Sequence, residues 1–71
     1  MIIGTSKVYI NMDNVTHFIP RTELCEIEFY VVSRVSHKLN FKDIPTTVAA
    51  ISAIEQGIRI GQHLLVLEGV I

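Results

Sequence analysis

The hydrophobic residues of this chain change their period once. Between residues 7 and 41, apolar and polar side chains alternate with a period of two, which is typical of strands with one buried face. From residue 44 to residue 58, the apolar side chains recur every three or four positions, which is typical of an amphipathic helix. We therefore predict the α+β class, a small and mostly antiparallel sheet with one helix.

Four strands are predicted before the helix. We place them at residues 7–12, 15–19, 25–31 and 35–42. Asp13 and Asn14 form turns readily, so the first two strands are expected to form a hairpin. The third and fourth strands are expected to pair antiparallel with Lys opposite Glu, because opposite charges across a ladder fix its register. On the fourth strand, Val35 is expected on the same apolar face as Leu39.

Both ends of the predicted helix are marked in the sequence. Asp43 suits the N-cap, Pro45 suits the first turn, and Gly57 suits the left-handed residue that ends a helix. The apolar residues fall within an arc of about 120°. They are Ile44, Val48, Ile51, Ile54 and Ile58. A last strand within residues 63–71 completes the order β-β-β-β-α-β in a single domain spanning residues 1–71.

The chain carries more hydrocarbon than a domain of its length can easily hide. Ile, Val and Leu make up 24 of the 71 residues, and a domain of this size buries only about 60% of its unfolded surface. The opposite side of the helix has small side chains, and the last strand is apolar on both faces, so both features favour contact with another copy. We predict a homo-oligomer interface formed by Ala49, Ala53, Leu65, Leu67, Val70 and Ile71.

The side chains that could carry chemistry are scattered along the sequence. His17, Cys25, His37 and His63 include no close pair of the kind that zinc sites use, so we predict no metal site and no cofactor. Acidic residues flank Cys25, which disfavours a reactive thiolate. Since no acid, base and nucleophile are grouped, we do not expect an enzyme.

Charge and cysteine content restrict the partners and the compartment. The net charge is -1 and basic residues are interleaved with acidic ones, which disfavours nucleic acid as a partner. The most apolar stretch, residues 44–71, contains Glu55, Arg59 and Glu68, so we expect no membrane span. A single cysteine permits no internal disulfide, and we therefore expect a cytoplasmic protein.

Three functions remain open from the sequence. The leading one is a small homo-oligomeric binding module, an accessory or inhibitor protein that acts through protein–protein contacts. The alternative is capture of a small anionic ligand, such as a nucleotide, in crevices between subunits. Its candidate ligands are Arg21, Arg34, Arg59, Tyr9 and Tyr30. Nucleic-acid binding is the third and least favoured function.

Overall fold

The first and last strands of the chain are neighbours in one sheet. The computed structural model describes residues 1–32 and 34–71. Strands β1 (Ile2–Gly4), β2 (Tyr9–Asn11) and β6 (Leu64–Val66) form sheet A in the order β2-β1-β6. β1 is antiparallel to β2 and parallel to β6. The β1 strand was not predicted, because its three residues are too few for alternation to be visible.

Three longer strands form a second, antiparallel sheet. Sheet B has the order β3 (His17–Arg21), β4 (Glu26–Val31) and β5 (Arg34–Asn40). Ile27 and Phe29 share one face of β4 and are fully buried, as the alternation predicts, whereas Glu28 on the other face is also buried, at 8% exposed. The predicted charge pairing is also confirmed, because Lys38 lies directly opposite Glu28.

The predicted hairpin between the first two strands is wrong. A short 3-10 helix, Met12–Asn14, leads the chain out of sheet A and into sheet B, so β2 and β3 belong to different sheets. The turn-forming residues do bend the chain, with the Asn11 side chain accepting from the Asp13 backbone N–H at 3.0 Å. They redirect the strand instead of folding it back on itself.

A register shift breaks the alternation predicted for β5. Phe29 pairs with His37, but the next residue, Tyr30, pairs with Val35, so Ser36 is an extra residue on β5. The Ser36 hydroxyl donates to the Phe29 carbonyl at 3.2 Å. Val35 therefore shares the outer face with Tyr30, and its predicted place beside Leu39 is wrong.

Helix α1 (Ile44–Ile60) begins where predicted and ends one turn later. Asp43 is its N-cap, and its carboxylate accepts from the Thr46 backbone N–H at 2.8 Å. The predicted stop at Gly57 is wrong, because the left-handed residue that ends the helix is Gly61, with φ 70°. Gly57 is buried inside the helix, where an added Cβ would lie only 3.1 Å from the Met1 sulfur. Its missing side chain therefore makes room for Met1.

The helix is also rotated relative to the predicted apolar arc. Its buried residues are Thr47, Ala50, Ile54 and Gly57. The Thr47 hydroxyl is satisfied by donation to the Asp43 carbonyl at 2.8 Å, so its burial leaves no polar atom unpaired. Small side chains let the helix approach the sheets closely, and Ile44, Val48 and Ile58 are consequently left about half exposed.

One core joins the two sheets and the helix. Its fully or nearly fully buried members are Ile3, Ile10, Ile27, Phe29, Leu39, Phe41, Ala50, Ile54, Leu65 and Leu67. The C-terminal residues close it, because Val70 forms a bridge to Phe41 and the Ile71 N–H donates to the Asn40 carbonyl at 2.9 Å. The radius of gyration is 11.1 Å, which is about the value for one compact domain of this length. The α+β class is confirmed, with strands preceding the helix and one strand following it.

Candidate functional site

The outer face of sheet A is apolar and uncovered. Side chains alternate along each strand, so Ile3, Ile10 and Leu65 point into the core while their neighbours point outward. Four large side chains on the outward side are substantially exposed, from 42% for Ile2 to 75% for Tyr9. We call this surface the outer face of sheet A, formed by Ile2, Gly4, Tyr9, Asn11, Leu64 and Val66.

The strand registers place these side chains in two rows. Ile2 lies between Asn11 and Leu64, and Gly4 lies between Tyr9 and Val66. An added Cβ on Gly4 would be 3.3 Å from Cε1 of Tyr9, so the tyrosine ring leans over the glycine. The ring and Val66 thus extend one apolar surface across the central strand.

A groove between α1 and β6 continues this surface. It has a volume of about 470 Å³. Its walls are Pro45, Thr46, Ala49, Ala50, Ala53, Val66, Leu67 and Glu68. Val66 belongs to both surfaces, so the outer face of sheet A and this α1–β6 groove form one continuous region.

The predicted interface residues divide into accessible and inaccessible ones. Leu65 and Leu67 are 9% and 6% exposed, so each packs mainly into the core of its own chain and leaves little surface for a second copy. Their neighbours Leu64 and Val66 are exposed in their place. The sequence does not show which of these residues face outward. Every residue from 64 to 67 is aliphatic, so the strand is equally apolar whichever alternate residues point into the core.

The other predicted interface residues retain accessible surface to different degrees. Ala49 is exposed, and Ala53 and Val70 are partly buried. Ile71 is exposed at the end of the chain. The two alanines line the α1–β6 groove, so they adjoin the outer face of sheet A.

The free edge of β6 is partly blocked. The Ile2 N–H donates to the His63 carbonyl and the Leu67 N–H donates to the Gly4 carbonyl. Alternation along a parallel ladder therefore directs the backbone groups of Leu64 toward the free edge. There the Gln62 side-chain amide donates to the Leu64 carbonyl at 2.7 Å. A strand added at this edge would have to displace that hydrogen bond.

Among the residues predicted to bind an anion, Arg21 and Tyr30 meet around a carboxylate. Arg21 Nε donates to Glu28 Oε1 at 2.8 Å, and the Tyr30 hydroxyl donates to the same oxygen at 3.4 Å. Lys38 Nζ lies 3.7 Å from Glu28 Oε2. The hydrogen bond from Arg21 holds the pKa of Glu28 below its ordinary value, and the same bond raises the pKa of Arg21. The positive charge of Arg21 is thus already paired within the chain.

The remaining candidates lie on separate elements. Arg34 begins β5, Arg59 lies in the last turn of α1, and Tyr9 lies in sheet A. The structure therefore does not gather the predicted arginines into one site in the described part of a single chain. Their predicted role in crevices between subunits stays a prediction.

A second groove lies at the C-terminal end of α1. It has a volume of about 780 Å³, and we call it the helix-end groove. Its lining residues are Met1, Met12, Asp13, Val15, Thr16, His17, Phe18, Gly57, Ile58, Gly61, Gln62 and His63. In the sequence His17 and His63 are isolated residues, because no local pattern predicts that positions so far apart in the chain line the same groove.

The His17 ring lies on the outer face of sheet B, opposite Phe18, and it is held in place from two sides. It stacks on Tyr30 with ring centroids 4.6 Å apart and an angle of 12° between the planes. Its Nδ1 lies 3.1 Å from the Thr16 hydroxyl. The ring therefore has a fixed orientation on the surface of sheet B.

The other titratable groups form no recognisable centre. In residues 1–32 and 34–71, no three His, Cys, Asp or Glu side chains are grouped so that they could hold a metal ion. Cys25 is a free, partly buried thiol that ends a 3-10 turn with φ 54°. No helix in the described part of the chain is long and apolar enough to cross a membrane.

No family model, curated protein or solved structure matches the chain.

Proposed function

We propose that this protein works by binding, as a homodimer whose subunits meet through the outer face of sheet A. The observation that carries the proposal is the row formed by Tyr9, Gly4 and Val66, an apolar strip across three strands in which Tyr9 is 75% and Val66 is 66% exposed. Exposed apolar patches of this kind on small proteins mark contact surfaces.

The size of the surface supports a dimer. The exposed fractions of its large side chains are 42% for Ile2, 75% for Tyr9, 53% for Leu64 and 66% for Val66. A standard interface takes about 800 Å² from each partner, and roughly 60% of that area is apolar. These four side chains and the adjoining α1–β6 groove are the apolar part of the interface that we propose.

The charge of the surface supports a second copy as the occupant. A two-fold dimer uses the same patch on both subunits, so a charged side chain at the axis would meet its own equivalent and its like charge. The outer face of sheet A carries only neutral side chains among the described residues, with Asn11 as its polar member. The outer face of sheet A can therefore pair with itself without placing like charges against each other, and Glu68 of the adjoining groove is the charged residue next to it.

A face-to-face contact is favoured over an edge-to-edge contact. Pairing at the free edge of β6 would compete with the hydrogen bond from Gln62 to the Leu64 carbonyl. Stacking of the two outer faces leaves that hydrogen bond intact and buries Tyr9, which offers a large ring together with a polar hydroxyl.

The flank of α1 supports a role as an accessory or inhibitor protein. Ile44 lies on the opposite side of the helix from Ala53, because nine residues correspond to a rotation of about 180°. Ile44 and Val48 are each about half exposed there, and Leu24 is exposed on the 3-10 turn that packs against α1. In the proposed dimer this flank stays accessible to a different protein.

The single free cysteine is the support for a cytoplasmic location.

A matched pair of variants tests the dimer. Val66→Lys places a charge on the outer face of sheet A, whereas Val48→Lys makes the same change on the helix flank, where the exposed fraction is 49% instead of 66%. We expect Val66→Lys to sediment as a monomer and Val48→Lys to keep the wild-type mass. Circular dichroism must show that both variants are folded. Equal masses for the wild type and folded Val66→Lys would contradict the proposal.

A further inference from the structure

We propose that the edge of strand β5 binds an extended, acidic segment of another protein, which adds to sheet B as a further strand. We define the open β5 edge as residues 34–38 of this seven-residue strand, which lies at the border of sheet B. Strand addition takes its affinity from main-chain hydrogen bonds and its specificity from the side chains beside them. The proposal goes beyond the dimer, because β5 and the outer face of sheet A belong to different sheets.

The hydrogen-bond pattern leaves backbone groups in the middle of β5 without a partner strand. The Phe41 N–H donates to the Cys25 carbonyl, on the β4 side. The Asn40 carbonyl accepts from the Ile71 N–H, on the opposite side. Backbone groups alternate between the two sides along an antiparallel ladder, so those of Lys38 are directed toward the free edge. Among the described residues, no loop or terminal segment bonds to the Lys38 backbone, which is therefore available to an added strand.

Among the strands of the described residues, the other three sheet edges are less suited to strand addition. β3 contains Pro20, which has no N–H to donate. β2 has only three residues, Tyr9–Asn11, and very short edge strands are poor templates for pairing. On β6, the Gln62 amide already occupies the Leu64 carbonyl. β5 therefore offers the longest edge with free backbone groups.

The charge of β5 indicates an acidic partner. The strand carries Arg34 and Lys38 and no acidic residue. None of the ion pairs among the described residues involves Arg34. Lys38 Nζ lies 3.7 Å from Glu28 Oε2, but Arg21 already bonds the other oxygen of that carboxylate at 2.8 Å. Lys38 can therefore turn toward a second carboxylate, and opposite charges across a ladder stabilise strand pairing.

The same charges disfavour a second copy of this chain as the added strand. In an antiparallel pair of β5 strands with the two-fold axis at Lys38, this residue would face its own equivalent. With the axis at Ser36, Arg34 would face Lys38 of the other copy. Like charges directly across a ladder are destabilising, and basic side chains on an edge strand discourage self-pairing. A strand that carries Asp or Glu is instead attracted to both residues.

The bulge at Ser36 decides which side chains stand beside the edge. Because Ser36 is an extra residue, Val35 and Lys38 both lie on the outer face of sheet B, opposite Tyr30 and Glu28. Val35 is 44% exposed and the Lys38 side chain is 48% exposed. An added strand can therefore place an apolar side chain beside Val35 and a carboxylate beside Lys38.

Three capped peptides test this proposal on the untagged, isotope-labelled protein. The first repeats the pattern Glu-Val-Val-Glu, which alternates glutamate and valine on each face of a strand. Lysine replaces glutamate in the second, and proline replaces valine in the third, which keeps the charge but prevents strand pairing. We expect the first peptide to shift the amides of residues 34–38 in a saturable way, and the other two to bind at least about tenfold more weakly. Absence of saturable shifts with the first peptide, or equally tight binding of either other peptide, would overturn the proposal.

Hydrogen exchange separates strand addition from charge attraction alone. The Lys38 N–H is directed toward the free edge, whereas the Leu39 N–H is directed toward β4 and is already bonded within the sheet. At saturation with the first peptide, we expect exchange of the Lys38 amide to slow at least about tenfold and that of Leu39 to change much less. Binding that leaves the Lys38 amide unprotected would contradict an added strand.

A matched pair of charge reversals locates the site. Arg34→Glu changes the open β5 edge, and Lys7→Glu makes the same change of charge at an exposed position between β1 and β2. We expect Arg34→Glu to weaken binding of the first peptide at least about fivefold and Lys7→Glu to leave it within about twofold of the wild type. Equal loss in both variants would show attraction to net charge and would overturn the proposed edge. The dimer variant Val66→Lys should bind the peptide as the wild type does, so failure of the dimer and failure of the edge are distinguishable.

Discussion

The ring of Tyr9 leans over Gly4, whose added Cβ would lie 3.3 Å from the ring. The two residues are cross-strand partners, so the close approach is set by the register of β1 and β2. A larger residue at position 4 would push the ring away from the sheet. This relationship makes the outer face of sheet A continuous, and the proposed dimer depends on it.

Tyr9→Ala should therefore weaken self-association. Removing the ring takes away the largest apolar contribution to the face, and we expect a loss of about 2 kcal/mol, roughly 30-fold in the dimer Kd. Tyr9→Phe keeps the ring and should bind within a few-fold of the wild type. Sedimentation equilibrium measures all three proteins, and Leu24→Ala serves as an exposed apolar control away from sheet A. A Tyr9→Ala dimer as tight as the wild type would contradict the assignment of this face.

Gly69→Ala should destabilise the fold by about 2 kcal/mol or more. Gly69 has φ 78°, and an added Cβ would clash with Cγ2 of Thr46. Its carbonyl also accepts from the Lys42 N–H at 3.1 Å, so the segment cannot easily move aside. Urea unfolding measures the loss.

The double variant Thr46→Ser with Gly69→Ala separates the two causes. Serine lacks the clashing methyl group, while the backbone N–H of residue 46 still reaches Asp43. We expect the double variant to recover about 1 kcal/mol, and the remaining loss to reflect the positive φ. If the second substitution recovers nothing, the clash does not contribute.

Glu28→Gln should make the free energy of unfolding less dependent on pH at acidic pH. The pKa of Glu28 is held below its ordinary value of 4.5, chiefly by the hydrogen bond from Arg21. Because the pKa of Glu28 is lower in the folded state than in the unfolded state, the ionised carboxylate stabilises the fold when the pH is above the unfolded-state pKa. This stabilisation is lost as the pH falls through the folded-state pKa. The free energy of unfolding should therefore fall from pH 5 to pH 3 more steeply in the wild type than in Glu28→Gln.

Some acid sensitivity should remain in Glu28→Gln. Hydrogen bonds from Thr46 also hold the pKa of Asp43 below its ordinary value, and that N-cap contribution is lost in the same direction. Urea unfolding at several pH values measures both slopes. Identical slopes in the wild type and in Glu28→Gln would show that the Arg21 contact does not stabilise the folded state.

Val32→Asn should stabilise the protein by about 1 kcal/mol. Val32 has φ 61°, a conformation that β-branched residues disfavour and asparagine tolerates. Its side chain is 73% exposed, so little packing is lost, and the Thr16 hydroxyl can still donate to the carbonyl of residue 32. Val35→Asn, in an extended strand, should give no such gain. A lower melting temperature for Val32→Asn would contradict this explanation.

Local patterns predicted the features that depend on local physics. The N-cap at Asp43, the two faces of β4 and the pairing of Lys38 with Glu28 follow from residues within a few positions or directly across one ladder. Each of these features follows from a preference of a short segment or of one cross-strand pair, and packing in the folded chain does not change it.

Long-range packing decided the features that the sequence did not predict. Pairing of β1 with β6 joins two ends of the chain through three residues each. Rotation of α1 depends on how closely Ala50 and Gly57 let the helix approach its neighbours, and helical periodicity does not contain that information. The same limit applies to the candidate site, where Leu64 and Leu65 differ only in the side of the sheet that they face.

Sedimentation equilibrium of the untagged wild-type protein over a range of concentrations measures whether the proposed dimer forms. We expect a reversible species with twice the monomer mass of 8.0 kDa. A mass of 8.0 kDa at every concentration, from protein shown to be folded, would contradict it.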